Sequence, residues 1–250
     1  MATTLAAAHR LEMGGRIREF DFAGVAGHVP GWLTCREGVF LFDAARRTGA
    51  RAAIVEIGSF KGRSTLCLAS GSREGDGAWV FAIDPHCGNP EHQRQFGPLD
   101  TLPEFTRNLE VVGLTDVVAI LRDTSARVAA RFRRPVGLLF VDGDHRYSAV
   151  REDLRRWLPL VTDGGLVAVH DSWQIWGPHA VTARHLIASP HVRRPRLIDT
   201  ITCFEKTERA SGFDRLQNLA FVIWRIVWGF KGFVSLKLTG TRVRSQPGPR

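Results

Sequence analysis

Along this chain, short apolar runs that stop at acidic residues alternate with stretches in which apolar positions recur every three or four residues. The first run, at 54–57, contains Glu56 and leads into Gly58 and Gly62, after which Ser64-Thr65 opens a stretch of helical spacing. This reads as a strand, a tight glycine turn and a helix N-terminus. Further runs at 78–83, 117–121, 136–141 and 166–169 lead into Asp84, Asp123, Asp142 and His170-Asp171. Helical spacing falls between them at 102–112, at 148–158 with Val150, Leu154, Trp157 and Leu158 inward, and at 180–188. Strand alternating with helix predicts a parallel sheet covered on both faces. The runs at 196–199 and 201–204 predict a hairpin that adds an antiparallel edge strand.

Before the first strand, Leu5, Leu11, Met13, Ile17 and Phe20 are loosely helical in spacing, and Thr34 caps a helix carrying Val39, Phe40, Phe42, Ala44 and Ala45 until Gly49 stops it. The fold class is therefore α/β: a Rossmann-like doubly wound sheet, mostly parallel with an antiparallel C-terminal edge strand, plus an N-terminal helical cap. The expected division is a cap over 1–50, a ligand-binding domain over 51–205, an apolar helix over 206–236 and a basic, disordered tail over 237–250. In that last helix Leu216, Leu219, Ala220, Ile223 and Val227 form a stripe, but Phe221, Val222, Trp224, Ile226, Trp228 and Phe230 make it apolar nearly all round. Burial, pairing in a homo-oligomer, and peripheral contact with a membrane interface are the three ways to cover such a helix.

Composition changes this picture little. At 250 residues, 44% hydrophobic and 24% charged, the chain has the make-up of a globular protein with one large core. A net charge of +9 admits an acidic partner, but no basic run is interleaved with aromatics as a nucleic-acid surface requires. Cys35, Cys67, Cys87 and Cys203 are too scattered for a zinc site or a disulfide framework, which suits a reducing compartment. With no secretion signal and no apolar run near the ~20 residues that span a bilayer, the expected location is the cytoplasm, with peripheral contact at the inner membrane face as the variant that the apolar helix suggests.

The chemistry collects at the strand ends, where open parallel sheets bind ligands. Gly58 permits backbone angles closed to other residues and a close approach of ligand, and Gly62 lets neighbouring elements pack tightly. The N–H groups of the helix opened by Ser64 suit a ligand carboxylate or phosphate. The spacing fits neither the dinucleotide fingerprint nor the phosphate loop. Asp84 sits where a carboxylate accepts from a ribose diol. Asp123 is placed to accept from an adenine amino group, and Ser125 to cap the next helix. The polar stretch at 86–100 has the character of a lid or substrate-binding loop. Asp142-Gly-Asp-His145 and His170-Asp171-Ser-Trp173 bring two Asp and two His to one edge.

Taken together, Glu56-Ile-Gly58-Ser-Phe-Lys-Gly62-Arg-Ser-Thr, Ala82-Ile-Asp84-Pro, Arg122-Asp123-Thr-Ser, Phe140-Val-Asp142-Gly-Asp144-His145-Arg-Tyr147 and Gly164-Gly-Leu-Val-Ala-Val-His170-Asp171-Ser172 resemble class I S-adenosylmethionine-dependent methyltransferases. The likeness is to the small-molecule and sugar O-methyltransferases, including macrolide-sugar, rhamnosyl and cephalosporin-biosynthesis enzymes. It implies that Glu56, Gly58 and Ser59 line the methionyl part of S-adenosylmethionine, with Gly62 and Ser64 completing the loop. It also implies Asp84 on the ribose, Asp123 and Thr124 near the adenine, and Asp142 beside the cofactor. In metal-dependent relatives Asp142 and Asp171 fall on magnesium-binding positions; His170 stands where some relatives have an acid, which suits manganese as well as magnesium or better. The implied reaction is O-methylation of a hydroxyl on a small molecule or glycosyl group, with Asp142, His145 and His170 as the catalytic candidates. Two other classes fit the same residues: a nicotinamide-dependent oxidoreductase or other nucleotide-ligand enzyme, and a non-catalytic adenosyl-ligand or membrane-associated protein.

Overall fold

The structure is a computed structural model that describes residues 20–88, 93, 97 and 99–239, with side chains described through Val227. The helical spacing expected before Phe20, much of the 86–100 loop and the tail from Gly240 onward lie outside the described residues.

After a five-residue π-helical segment, Ala23–Gly27, the elements run α1 (Cys35–Arg46), β1 (Ala53–Ile57), α2 (Arg63–Glu74), β2 (Val80–Ile83), α3 (Leu102–Val112), β3 (Val118–Leu121), α4 (Ser125–Arg131), β4 (Val136–Val141), α5 (Tyr147–Trp157), β5 (Val161–Val169), α6 (Trp176–Ala188), β6 (Val192–Ile198), β7 (Ile201–Lys206) and α7 (Gly212–Thr239). One seven-stranded sheet results, in the order β3-β2-β1-β4-β5-β7-β6. Strands β1 to β5 are mutually parallel, whereas β7 runs antiparallel to both β5 and β6. The chain steps outward from β1 in one direction and from β4 in the other, so the β1/β4 seam is the topological switch point where such sheets open a crevice.

Strand alternation divides the core. Ile54, Val80, Ala82, Leu138 and Phe140 pack with Leu41, Leu66, Phe105 and Leu109 of α1 to α3. Val55, Ile57, Leu139, Val141 and Val167 pack with Val150, Leu154, Trp157 and Val181 of α5 and α6. Both faces are covered, which is why β1 is buried at all five positions.

Two local expectations change. Strand β5 begins at Val161: its pairing with β4 runs Val136↔Val161 and then Leu138↔Leu166, so residues 162–165 bulge out with Gly164 at φ 74. The cap of α4 is Thr124, whose hydroxyl accepts from the Arg127 N–H; the Ser125 hydroxyl instead accepts from the Trp157 indole at 2.8 Å.

The turn after β1 is built around Glu56. Its carboxylate is fully buried and accepts hydrogen bonds from the hydroxyls of Ser64 at 2.6 Å, Ser59 at 2.8 Å and Thr65 at 2.5 Å. One strand residue thus ties both the glycine turn and the first turn of α2. Burial pushes this carboxyl from 4.5 up to about 7 against the pull of the three hydroxyls. Because the folded state binds this proton more tightly than the unfolded chain, Glu56 lowers stability as pH rises from 4.5 to about 7, by up to about 3 kcal/mol. Urea unfolding of wild type and Glu56→Gln should therefore show wild type losing ground to the variant between pH 5 and pH 8; parallel pH profiles would contradict this role.

Candidate active site

Four of the parallel strands, β1, β2, β4 and β5, carry the ladder one residue beyond their ends. Gly58 N donates to Ile83 O at 2.9 Å, Asp84 N to Leu121 O at 3.2 Å, Asp142 N to Ile57 O at 2.8 Å and His170 N to Val141 O at 3.0 Å. The residues that follow the apolar runs are thereby set in one row along the carboxyl edge. Above that edge lies a cavity of about 870 Å³. Two of its lining residues, Phe60 (47°) and Asp171 (51°), have the positive φ that non-glycine residues seldom adopt.

At the β1/β2 end, Gly58 has φ 87, and a Cβ there would lie 2.6 Å from the Asp142 carbonyl carbon and 2.7 Å from Gly143 Cα. The Asp84 carboxylate accepts from Ser59 N at 2.9 Å, Phe60 N at 2.8 Å and His86 N at 2.7 Å. It therefore holds the glycine turn as well as facing the cavity. Gly62, at φ 95, makes room for the Phe105 ring, 3.2 Å from where its Cβ would stand.

At the β4/β5 end, oxygens of Asp142 and Asp171 and a ring nitrogen of His170 lie within 4.8 Å of one another. His170 Nδ1 is 2.9 Å from Asp142 Oδ1 and 3.6 Å from Asp171 Oδ2. On its other side, His170 Nε2 faces Glu37 Oε2 at 3.4 Å. Glu37 is fully buried, completes the capping box of α1 with Thr34, and accepts from both Thr200 N and Thr200 Oγ1, at 2.8 and 2.7 Å. Burial would raise Glu37, but His170 and the donors from Thr34 and Thr200 bring it down to about 2. Asp142 is likewise raised by burial and brought down to about 2 by His170 and His145. Burial opposes the charge on His170, and the carboxylates of Asp142, Glu37 and Asp171 hold its pKa well above the usual imidazole value. Asp171 is pushed up, by burial first and by Asp142 next.

His145 stands beside this group, its Nε2 3.8 Å from Asp142 Oδ1 and 3.6 Å from Asp171 Oδ2. Neither of its buried ring nitrogens makes a hydrogen bond. Burial opposes charge on this ring, and Asp142 and Asp171 nevertheless hold its pKa above the usual imidazole value.

Of the residues singled out from sequence, Gly58, Ser59, Ser64, Asp84, Thr124, Asp142, His145, His170 and Asp171 line the cavity. Glu56, Gly62 and Asp123 do not. Glu56 lies behind the loop with its lone pairs taken by hydroxyls, and Gly62 serves helix packing. Asp123 is drawn to Arg131, 2.9 Å away, which lowers its pKa. Two residues escape sequence reasoning. Glu37 belongs to a Thr-x-x-Glu capping box, a recognisable helix start, but its reach to His170 spans 133 positions. Asp153 lines the cavity near Thr124 and Ser125, and burial pushes its carboxyl up to about 6; on a predicted helix it reads as one more polar-face residue.

Comparison with known proteins agrees with this layout. Residues 55–172 match the methyltransferase domain family Methyltransf_24. An uncharacterized protein, y4gI, of Sinorhizobium fredii (strain NBRC 101917 / NGR234) is 30% identical over 134 residues, which is 49% of this chain; the chain spans only 14% of that relative's length. Among solved structures, the O-methyltransferase NovP superposes with a TM-score of 0.62 at 17% identity, covering 71% of this chain and 84% of its own. The O-methyltransferase TomG of Streptomyces achromogenes, solved in complex with S-adenosylmethionine, gives 0.53 at 21% identity, covering 70% and 82%. Sheet order, strand-end residues and these superpositions agree: the chain carries the class I S-adenosylmethionine-dependent methyltransferase fold, resembling the small-molecule O-methyltransferases.

Proposed function

We propose that this chain methylates a hydroxyl of a small molecule or glycosyl group from S-adenosylmethionine, with a divalent cation assisting. The observation that carries the proposal is that one cavity joins a nucleoside-type end at Gly58 and Asp84 to a cluster of two carboxylates and two imidazoles at Asp142, His145, His170 and Asp171. That TomG has the same fold and was solved with S-adenosylmethionine supports the choice of cofactor.

At the first end the N–H groups opening α2 suit a ligand carboxylate. Of roughly four lone-pair positions on the Asp84 carboxylate, three serve backbone donors, so Asp84 accepts one hydrogen bond from a ribose rather than two. Asp153, beside Thr124 and Ser125, replaces Asp123 as acceptor for an adenine amino group. At the other end the donor set suits a cation that takes mixed oxygen and nitrogen ligands, such as manganese, at least as well as magnesium. Asp142, Asp171 and His170 Nδ1, once its proton is displaced, would hold it, and Glu37 would fix the His170 ring through Nε2.

When bound, the cofactor supplies a methyl group on a positively charged sulfur, and the metal ion lowers the pKa of an alcohol. The chain's own part is alignment and proton removal. His145, free of hydrogen bonds, takes the hydroxyl proton as the oxygen–methyl bond forms and the sulfur–methyl bond breaks, and the two nearby carboxylates stabilise its imidazolium. Holding the two reactants in line is worth roughly 7–11 kcal/mol in favourable cases.

Calorimetric titration with S-adenosylmethionine and S-adenosylhomocysteine should give micromolar binding, weakened at least about tenfold in Asp84→Asn and lost in Asp84→Ala. No binding of either ligand to wild type would overturn the proposal. In Glu37→Gln, manganese affinity should fall about 10- to 100-fold while S-adenosylmethionine affinity stays within about twofold. Unchanged manganese affinity would remove Glu37 from the site.

A further inference from the structure

Helix α7 is turned against the usual pattern. Among its side chains described through Val227, the buried ones are mainly polar: Asn218 donates to Val192 O at 2.8 Å, and Arg225 donates to Thr182 Oγ1 at 3.1 Å, to His179 Nδ1 at 2.9 Å and to the Ser172 carbonyl. Both are fully buried, with Val222 between them on the same face. The opposite face is apolar and open: Leu216 is 63% exposed, Ile223 52% and Ile226 56%, with Leu219 and Val227 alongside. A surface helix ordinarily does the reverse, so this stripe is built to be covered.

Charge identifies the cover. Residues 215–250 hold seven Lys or Arg and no Asp or Glu, whereas the preceding 214 residues hold 27 against 25. From the start of α7 at Gly212 to residue 250 the balance is seven basic residues against Asp214, and all of these cations but the buried Arg225 can face a counter-charge. A second copy of the chain seated on the stripe would bring two such cationic stretches together without acidic partners. An anionic lipid surface gives the apolar side chains an acyl boundary and the cations a counter-charge, and Trp224, half exposed on this helix, suits the headgroup level. Among the described residues no helix is long and apolar enough to cross a membrane.

We propose that α7 docks the protein on an anionic membrane surface, lying in the interface with Leu216, Leu219, Ile223, Ile226 and Val227 inserted. The helix is tied directly to the candidate active site: Arg225 holds the carbonyl of Ser172, next to Asp171, and the Trp224 ring lies 6.0 Å from that of Trp173. The docking reading stands apart from the methyl-transfer proposal, since it draws on none of the cavity residues.

The test is flotation of the 250-residue protein with phosphatidylcholine vesicles, with and without about one third phosphatidylglycerol. Binding to the anionic vesicles should exceed binding to the zwitterionic ones by about tenfold or more and fall as salt rises. The double variant Ile223→Asp/Ile226→Asp, with circular dichroism as wild type, should lose at least about tenfold in bound fraction. Should that variant misfold, Lys231→Gln/Lys237→Gln removes only charge and should lose about tenfold on anionic vesicles alone. Absence of flotation with anionic vesicles, or equal binding to both compositions, would overturn the proposal. So would a dimer in light scattering that Ile223→Asp/Ile226→Asp converts to monomer, which assigns the stripe to a second copy.

Discussion

At Gly58 the backbone of β1 passes so close to that of Asp142 and Gly143 that no side chain fits between them. The two central strands stay paired to their carboxyl ends because this position has neither a Cβ nor an aversion to positive φ. The cavity lies above this contact. Its two chemical ends belong to the two strands in contact: the turn held by Glu56 and Asp84 follows β1, and the charged cluster begins at Asp142 after β4. The layout of the cavity thus depends first on a backbone contact, and only then on the side chains that line it.

The second requirement is to keep four ionisable groups together without mutual repulsion. Asp142 and Asp171 would repel each other in a low-dielectric site, and His170 lies between them and Glu37 as the compensating charge. Glu37 is itself anchored by the α1 cap and by Thr200 in the β6–β7 turn. The N-terminal helix and the C-terminal hairpin are therefore joined through one buried carboxylate to the centre of the site. Burying such a group costs several kcal/mol unless its lone pairs are used, and here each oxygen has a partner.

How much of this the sequence discloses depends on the range of the interaction. The turn after β1 is legible because Gly58, Gly62 and the apolar run are contiguous. Asp84, Asp142 and Asp171 are legible because strand ends in a parallel sheet share one edge. The sheet's antiparallel edge follows from two short runs separated by a turn at Asp199-Thr200. What fails is orientation and long-range pairing. Asp123 has the right type and place, yet Arg131, eight positions on, captures it. Thr124 and Ser125 both suit a helix cap, and the choice between them is made by Trp157, on a different helix. The polar 162–165 bulge hides the first half of β5 from a reading based on apolar runs. Helix α7 reads as apolar nearly all round, and only the fold reveals that Asn218 and Arg225 are buried while Leu216, Ile223 and Ile226 are exposed.

The central claim is that the Gly58 crevice holds S-adenosylmethionine, with its reactive end turned toward the charged cluster. A crystal structure of the protein with S-adenosylhomocysteine and manganese tests it most directly. The ribose should lie within hydrogen-bond distance of Asp84, the adenine beside Thr124 and Asp153, and the sulfur should be directed toward Asp142 and His145. A ligand bound outside this crevice, or one whose sulfur faces away from His145, would contradict it.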